Sequence, residues 1–331
     1  MTVLRNRCRG LAVLGALAVA GLGSAGAASV DFGVAYRSGG NTLLESAWAR
    51  VGVDDLSVLG GAVRLGASTR AVDAAYTRTL AAAPLGAVTS TSSVAVTYAG
   101  GVRLASRATA TLGPVALDVG GSYFTASAGA VDPLAVWSES AVDQRDRGWT
   151  ADATARYRVN RTLVAVVGGE FGAQPQGLAG VELRRDLTRT LPPAEDDDPA
   201  APPETEVSGT VTWRVGARAG RDVLGVTAGV SYGTPQGLNL RLDGVLGPDS
   251  AGVSASAGAA DVLGEGSTLR VYGAYEPWRT VGTPLRAGVE VTALVGSGTL
   301  GLTVSGGRDL SGQAGVAARA TYRLELPGRE P

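Results

Sequence analysis

The chain has 331 residues, 45% hydrophobic and 18% charged, with 49 glycines, 3 phenylalanines and no histidine. Its formal net charge is −1, all positive charge being arginine, so the basic excess of a nucleic-acid-binding surface is missing and no nucleic-acid partner is expected. Without histidine there is no Ser–His or Cys–His nucleophile and no imidazole metal ligand. That argues against an enzyme, and no cofactor or metal is expected. Lysine and isoleucine are absent as well, which reads as coding bias rather than function.

Arg5, Arg7 and Arg9 precede an apolar run over residues 11–22 that ends in Ser24-Ala25-Gly26-Ala27-Ala28. A basic start, a short apolar core and a small-residue exit predict a secretory signal peptide over residues 1–27. Cys8, the only cysteine, would leave with it, so the mature chain has no disulfide and depends on burial and backbone pairing. From Ser29 onward a period-two pattern begins at once: Val30, Phe32, Val34 and Tyr36 alternate with Asp31, Gly33, Ala35 and Arg37. Strands are predicted over 30–37, 42–53, 57–67 and 70–80, followed by a loop over 81–91. Residues 93–112 alternate without interruption, as one very long strand or as two broken at Gly100-Gly101. A strand over 115–125 leads into a long connection, 126–147, within which 134–138 could form a further short strand.

Residues 149–159 put Trp149, Ala151, Ala153, Ala155, Tyr157 and Val159 on one face, and Thr150, Asp152, Thr154, Arg156 and Arg158 on the other. The two aromatics are roughly 26 Å apart along a strand rising about 3.3 Å per residue, near the spacing of two interfacial girdles around an apolar band about 25 Å tall. Strands over 162–171 and 177–187 precede a proline- and acid-rich stretch near 188–206. It reads as a solvated loop, because its carboxylates lack the spacing and turn glycine of a calcium loop. The clearest segment follows: Val207, Gly209, Val211, Trp213, Val215, Ala217 and Ala219 oppose Ser208, Thr210, Thr212, Arg214, Gly216 and Arg218. This run exceeds the usual strand of about 5–6 residues and suffices to cross a bilayer at a tilt, which takes about 9–11. Seven more segments, beginning near residues 222, 236, 251, 267, 284, 299 and 312, are separated by short Gly/Pro/Asp turns.

The predicted fold class is therefore all-β: a single antiparallel transmembrane β-barrel of about 16–18 strands over residues 28–326. An even count closes such a barrel. A version counting 134–138 as a strand places the three long loops on one side. A soluble sandwich would bury its apolar face in bulky side chains, whereas here that face is Val, Leu, Ala and Gly. The chain resembles the bacterial outer-membrane β-barrel class at porin-like size. Ala318, Ala320, Tyr322, Leu324 and Leu326, alternating with Arg319, Thr321, Arg323 and Glu325, look like the terminal strand recognised by the barrel-assembly machinery. The chain departs from that class by ending this strand in Leu326 rather than an aromatic, ahead of a tail over 327–331. The resemblance implies residence in the cell outer membrane, contact with its lipid, insertion by the barrel-assembly machinery, and compatibility with a homo-oligomer.

The polar faces nominate pore-lining residues: Asp152, Arg156, Arg158, Glu170, Arg184, Arg214, Arg218, Arg241, Asp243, Arg270, Arg286, Glu290, Arg319 and Arg323. Arg103, Arg107, Asp118, Glu182 and Glu325 share those faces. Asp152 and Glu170 are expected close together, paired with Arg156. Membrane-girdle candidates are Tyr36, Trp149, Tyr157, Trp213, Tyr275 and Tyr322. The expected function is a passive diffusion channel for ions and small hydrophilic solutes. The alternative is a non-conducting barrel that organises the envelope, its lumen blocked by 126–147 or 187–206.

Overall fold

The computed structural model describes residues 28–38, 46–56, 60–82, 86–190, 205–248 and 250–326. The expected signal peptide, the prolines and acids of 191–204 and the tail 327–331 lie outside them. The first seven strands are β1 (Ala28–Arg37), β2 (Ser46–Leu56), β3 (Gly61–Ser68), β4 (Ala71–Ala82), β5 (Gly86–Thr97), β6 (Val102–Leu112) and β7 (Val115–Phe124). After a long connection come β8 (Gly148–Arg158), β9 (Leu163–Phe171), β10 (Gln176–Thr190), β11 (Thr205–Gly220), β12 (Leu224–Gly233) and β13 (Asn239–Gly247). The last five are β14 (Ser250–Ala260), β15 (Thr268–Tyr275), β16 (Leu285–Val295), β17 (Gly298–Arg308) and β18 (Ala314–Leu326). Each strand pairs antiparallel with its neighbours in sequence, and β1 pairs with β18 from Ala28↔Leu326 to Arg37↔Ala317. The sheet is a closed 18-stranded barrel with no free edge.

Side-chain alternation decides which face is outside. On β11 Trp213 is 43% and Val215 56% exposed on the outer surface, while Arg214 and Arg218 turn inward and line the interior. The same split recurs in Val181 and Leu183 against Glu182, and in Leu240 and Leu242 against Arg241. Among the described residues no second layer covers the apolar face. Because odd-numbered strands run away from the termini, Tyr36, Trp149 and Tyr275 fall near the rim opposite the termini. Tyr157, Trp213 and Tyr322 fall in the half nearer the termini. All six face outward, and Tyr322 is half-covered by Phe32 at a centroid distance of 5.7 Å.

Two expectations are corrected, for 81–91 and 134–138, and the open alternative at 93–112 is decided in favour of two strands. Residues 81–91 are mostly strand, because β4 and β5 pair along their length and leave only 83–85 between them. Inward Thr77–Thr91 and Thr79–Thr89 hydroxyl pairs, each at 3.0 Å, hold them, and outward Ser92 bonds Ser106 at 3.1 Å. Polar residues thus occupy both faces and hide the period. Residues 93–112 form two strands, because Gly100 takes φ +90°, which a strand cannot accommodate, and the Thr97 hydroxyl accepts from the Gly101 amide at 2.9 Å. Residues 134–138 are no strand. The Asp132 carboxylate accepts from the Leu134 amide at 3.0 Å and caps a 3₁₀ turn, Pro133–Trp137, in which Pro133 occupies the first turn.

Nor do the long connections share a side. Residues 125–147 join β7 to β8 at the rim away from the termini, whereas β10 ends and β11 begins at the terminus-side rim. There β10 and β11 outrun their neighbours. Pairing of β9 with β10 stops at Leu183, pairing of β12 with β11 stops at Thr210, and the hairpin continues to Thr190↔Thr205.

The tight turn between β17 and β18 is built on Asp309, whose carboxylate accepts from the Ser311 hydroxyl at 2.6 Å and from the Ser311 and Gln313 amides. The hydroxyl bond first, and then the amides, hold this carboxyl below the usual carboxylate range. A depressed pKa stabilises the folded turn above the unfolded value, and that contribution is lost as pH falls through the folded one. Amide exchange at Ser311 and Gln313 should therefore accelerate in the acid range below the ordinary carboxylate pKa, measured relative to neighbouring turns. On the outer wall, Val215→Arg should destabilise the barrel in lipid vesicles by about 2–4 kcal/mol, the cost of arginine near the bilayer midplane. Urea unfolding checks this, with Thr212→Arg on the inner face of the same strand expected to cost much less.

Candidate functional site: the charged barrel interior

Inward positions of the wall carry charge in strand after strand. Arg107 on β6 reaches Asp118 on β7 at 2.7 Å and Asp152 on β8 at 3.5 Å. Arg156 reaches Glu182 on β10 at 3.4 Å. Arg214 donates to Asp243 at 2.8 Å and to the Ser231 hydroxyl at 3.0 Å, and Arg241 contacts the same Asp243. Arg218 donates to the Gln176 side chain at 3.3 Å. Asp152 and Glu170 do sit directly opposite one another in the β8–β9 register. Arg156 pairs with neither. Like charges that face each other across a ladder are unfavourable, and each acid takes a different cation: Asp152 takes Arg107, and Glu170 takes Arg279.

Arg279 belongs to a second interior connection, residues 276–284 between β15 and β16. It donates to Glu170 at 2.5 and 3.1 Å, while Gln174 after β9 donates to the Trp278 carbonyl at 2.6 Å. These contacts tie the far end of β15 to β9 and β10.

The larger connection, 125–147, folds into the barrel. It holds one short helical turn, α1 (Ala128–Val131), and the 3₁₀ turn 133–137. Leu134, Val136 and Trp137 form a buried cluster with Ala35, Trp48 and Ala317 of the wall, and Trp137 is 1% exposed. Its ring needs small residues beneath it. A Cβ at Gly307 would lie 2.9 Å from the Trp137 ring, and one at Gly315 only 2.6 Å. Polar clamps complete the seat: the Tyr272 hydroxyl donates to the Trp137 carbonyl at 2.8 Å, and Thr283 donates to the Val136 carbonyl. Asp132 pairs with Arg319, and Glu139 pairs with Arg270. Arg37 stacks over Trp137 at 5.1 Å.

The predicted interior residues consequently fall into groups. Asp152, Arg156, Glu170, Arg214, Arg218, Arg241, Asp243 and Arg270 line one continuous cavity of about 1170 Å³, bounded by β5 to β16 and by both infolded connections. Arg158 and Arg184 share the inner face of β8 and β10 but lie outside that lining, Arg184 holding Asp186 at 3.3 Å. Glu290 faces Arg270 across the β15–β16 register. Arg286 borders the cavity yet is 3% exposed, because it donates to the Glu139 and Thr283 carbonyls and to Glu276. It is a clamp between the two infolded connections. Arg319 lies beneath 125–147, over Trp48 at 5.2 Å, and Arg323, further along the same strand β18 and outside the cavity lining, pairs with Glu325 at 2.7 Å.

Trp137, Glu139, Tyr272, Glu276 and Arg279 escaped the sequence reading. Alternation reports on strands only; four of these five sit on connections, and Tyr272 reaches toward one. One signal was present: the inward positions Gly288, Ser305, Gly307, Gly315 and Ala317 of β16–β18 are small where other strands carry arginine. A wall emptied of bulk marks where something else must pack.

No protein-family model matches the chain, and no curated protein matches it significantly. Among solved structures it is similar to Pseudomonas aeruginosa OccK11 (OpdR), at 11% identity over 91% of this chain and 95% of that one, TM-score 0.47. It is similar to Pseudomonas aeruginosa OccK1 (OpdK), at 12% identity over 91% and 97%, TM-score 0.47. A mutant of the Rh. blastica porin matches at 10% identity over 91% and 99%, TM-score 0.43. The fold, the strand count and the closure rest on this chain's own pairing.

Proposed function

We propose that the chain is a passive diffusion channel for ions and small hydrophilic solutes, spanning a bacterial outer membrane. The observation that carries this reading is a closed tube, apolar outside, around a cavity of about 1170 Å³ walled by charged side chains. Barrels of 16–18 strands are wide enough for an aqueous channel, and charged rings in such a lumen set which solutes pass. The outward Trp149, Trp213 and Tyr157 suit headgroup depth. On this reading the partners are outer-membrane lipid and, during biogenesis, the barrel-assembly machinery. A homo-oligomer is compatible with it.

One feature favours the second reading, a non-conducting structural barrel. Residues 125–147 occupy the half of the interior against β16–β18, β1 and β2, with Trp137 packed dry. Planar-bilayer recording separates the two. A channel gives discrete conductance steps from the detergent-folded protein; a silent bilayer with folded protein present overturns the reading. Trp137→Ala removes the anchor of 125–147, at a cost of about 3–5 kcal/mol to its packing. The steps should become larger and noisier than in the unmodified chain.

A further inference from the structure

The ion pairs of the interior wall are stratified by depth. In the pairs of the β6–β13 arc that do not touch an infolded connection, the arginine is the more exposed partner in all but one. Arg107 has 56% of its side chain exposed against 31% for Asp118; Arg156 has 47% against 20% for Glu182; Arg241 has 59% against 25% for Asp243. Arg214 is the exception in that arc, 20% exposed against 25% for Asp243, the carboxylate it shares with Arg241. The cause is reach. An aspartate holds its charge close to the backbone, whereas an arginine carries its charge on a long stem. Each pair is thus a dipole with its positive end toward the axis, and pairing does not cancel the field that a solute meets there. The balance of charge adds to it: nine arginines and seven carboxylates line the cavity. Of those seven, Asp143 is held at 2.6 Å by Arg145, which lies outside the lining.

We infer that the interior selects anions, and that its preferred solutes are small carboxylates met by the projecting guanidinium groups of Arg107, Arg156 and Arg241. Arginine presents paired N–H donors matched to a carboxylate, so these groups give orientation as well as charge. The exchange of one solute for the next requires weak sites, and guanidinium groups already partnered by Asp118, Glu182 and Asp243 are weakened in that way. The inference rests on the channel reading above.

The test is the reversal potential of the channel in a potassium chloride gradient, with citrate then added as a polyvalent carboxylate probe. The unmodified chain should reverse on the chloride side of zero, and citrate should lower its conductance. Arg107→Gln, Arg156→Gln and Arg241→Gln together should move the reversal potential toward or past zero and abolish the citrate effect, while conductance steps persist. Arg78→Gln, on the outer face of β4 with Val72 and Leu80, should change neither. A reversal potential at zero or on the potassium side for the unmodified chain overturns the inference but leaves a channel standing. A triple variant with unchanged selectivity overturns it too. Absence of any steps overturns the channel reading itself. Because the sign for the unmodified chain is decisive alone, misfolding of the triple variant leaves the test intact.

Discussion

The structure depends on the pairing of its first strand with its last. A lipid-embedded sheet cannot leave N–H and C=O groups facing hydrocarbon, where each unsatisfied group costs several kcal/mol. The ten-residue register between β1 and β18, from Ala28↔Leu326 to Arg37↔Ala317, removes the only two edges the chain would otherwise have. Everything else follows from that seam. Closure makes one face an inside and the other an outside, and only then does alternation acquire a meaning for function.

The seam is also specified by side chains. Phe32 meets Tyr322 on the outside, and Asp31 faces Arg323 on the inside, so a slip by one residue would turn charged side chains toward the apolar face. Along the arc from β6 to β13 the wall pairs are half-exposed, and pairs of that kind contribute about 0–1 kcal/mol each. Their placement therefore matters more for what the interior attracts than for how firmly the barrel stands. The infolded connections are different. Trp137, Leu134 and Val136 are dry, and Arg286 reaches carbonyls on both connections from a fully covered position. That half of the interior is built as a core.

How far the fold was legible followed one rule. Where the two faces differ in polarity, as in 149–159 and 206–220, the strand and its orientation could be read directly, and Arg214 and Arg218 lie inside as the alternation requires. Where serine and threonine occupy both faces, as in the first half of β5, the period vanished and paired strand looked like a loop. The connections were opaque for another reason. Leu134, Val136 and Trp137 are apolar in a pattern that serves a strand or a turn equally well, and only Asp132 and Pro133, which cap and open the turn, decide between them. Ion-pair partners were the least legible part, since Arg279 meets Glu170 from 109 residues away.

The seat of Trp137 has a bearing on how the molecule is made. Its floor comes from Gly307 on β17 and from Gly315 and Ala317 on β18, with Ala35 of β1 beside them. These belong to the elements that meet when the cylinder seals. An unsealed intermediate would hold a large indole over half a socket, so tucking the segment in and zipping the final junction form a single cooperative event. The ring and its floor lie more than half the barrel apart in sequence, so the socket exists only where β17 and β18 have come round to β1.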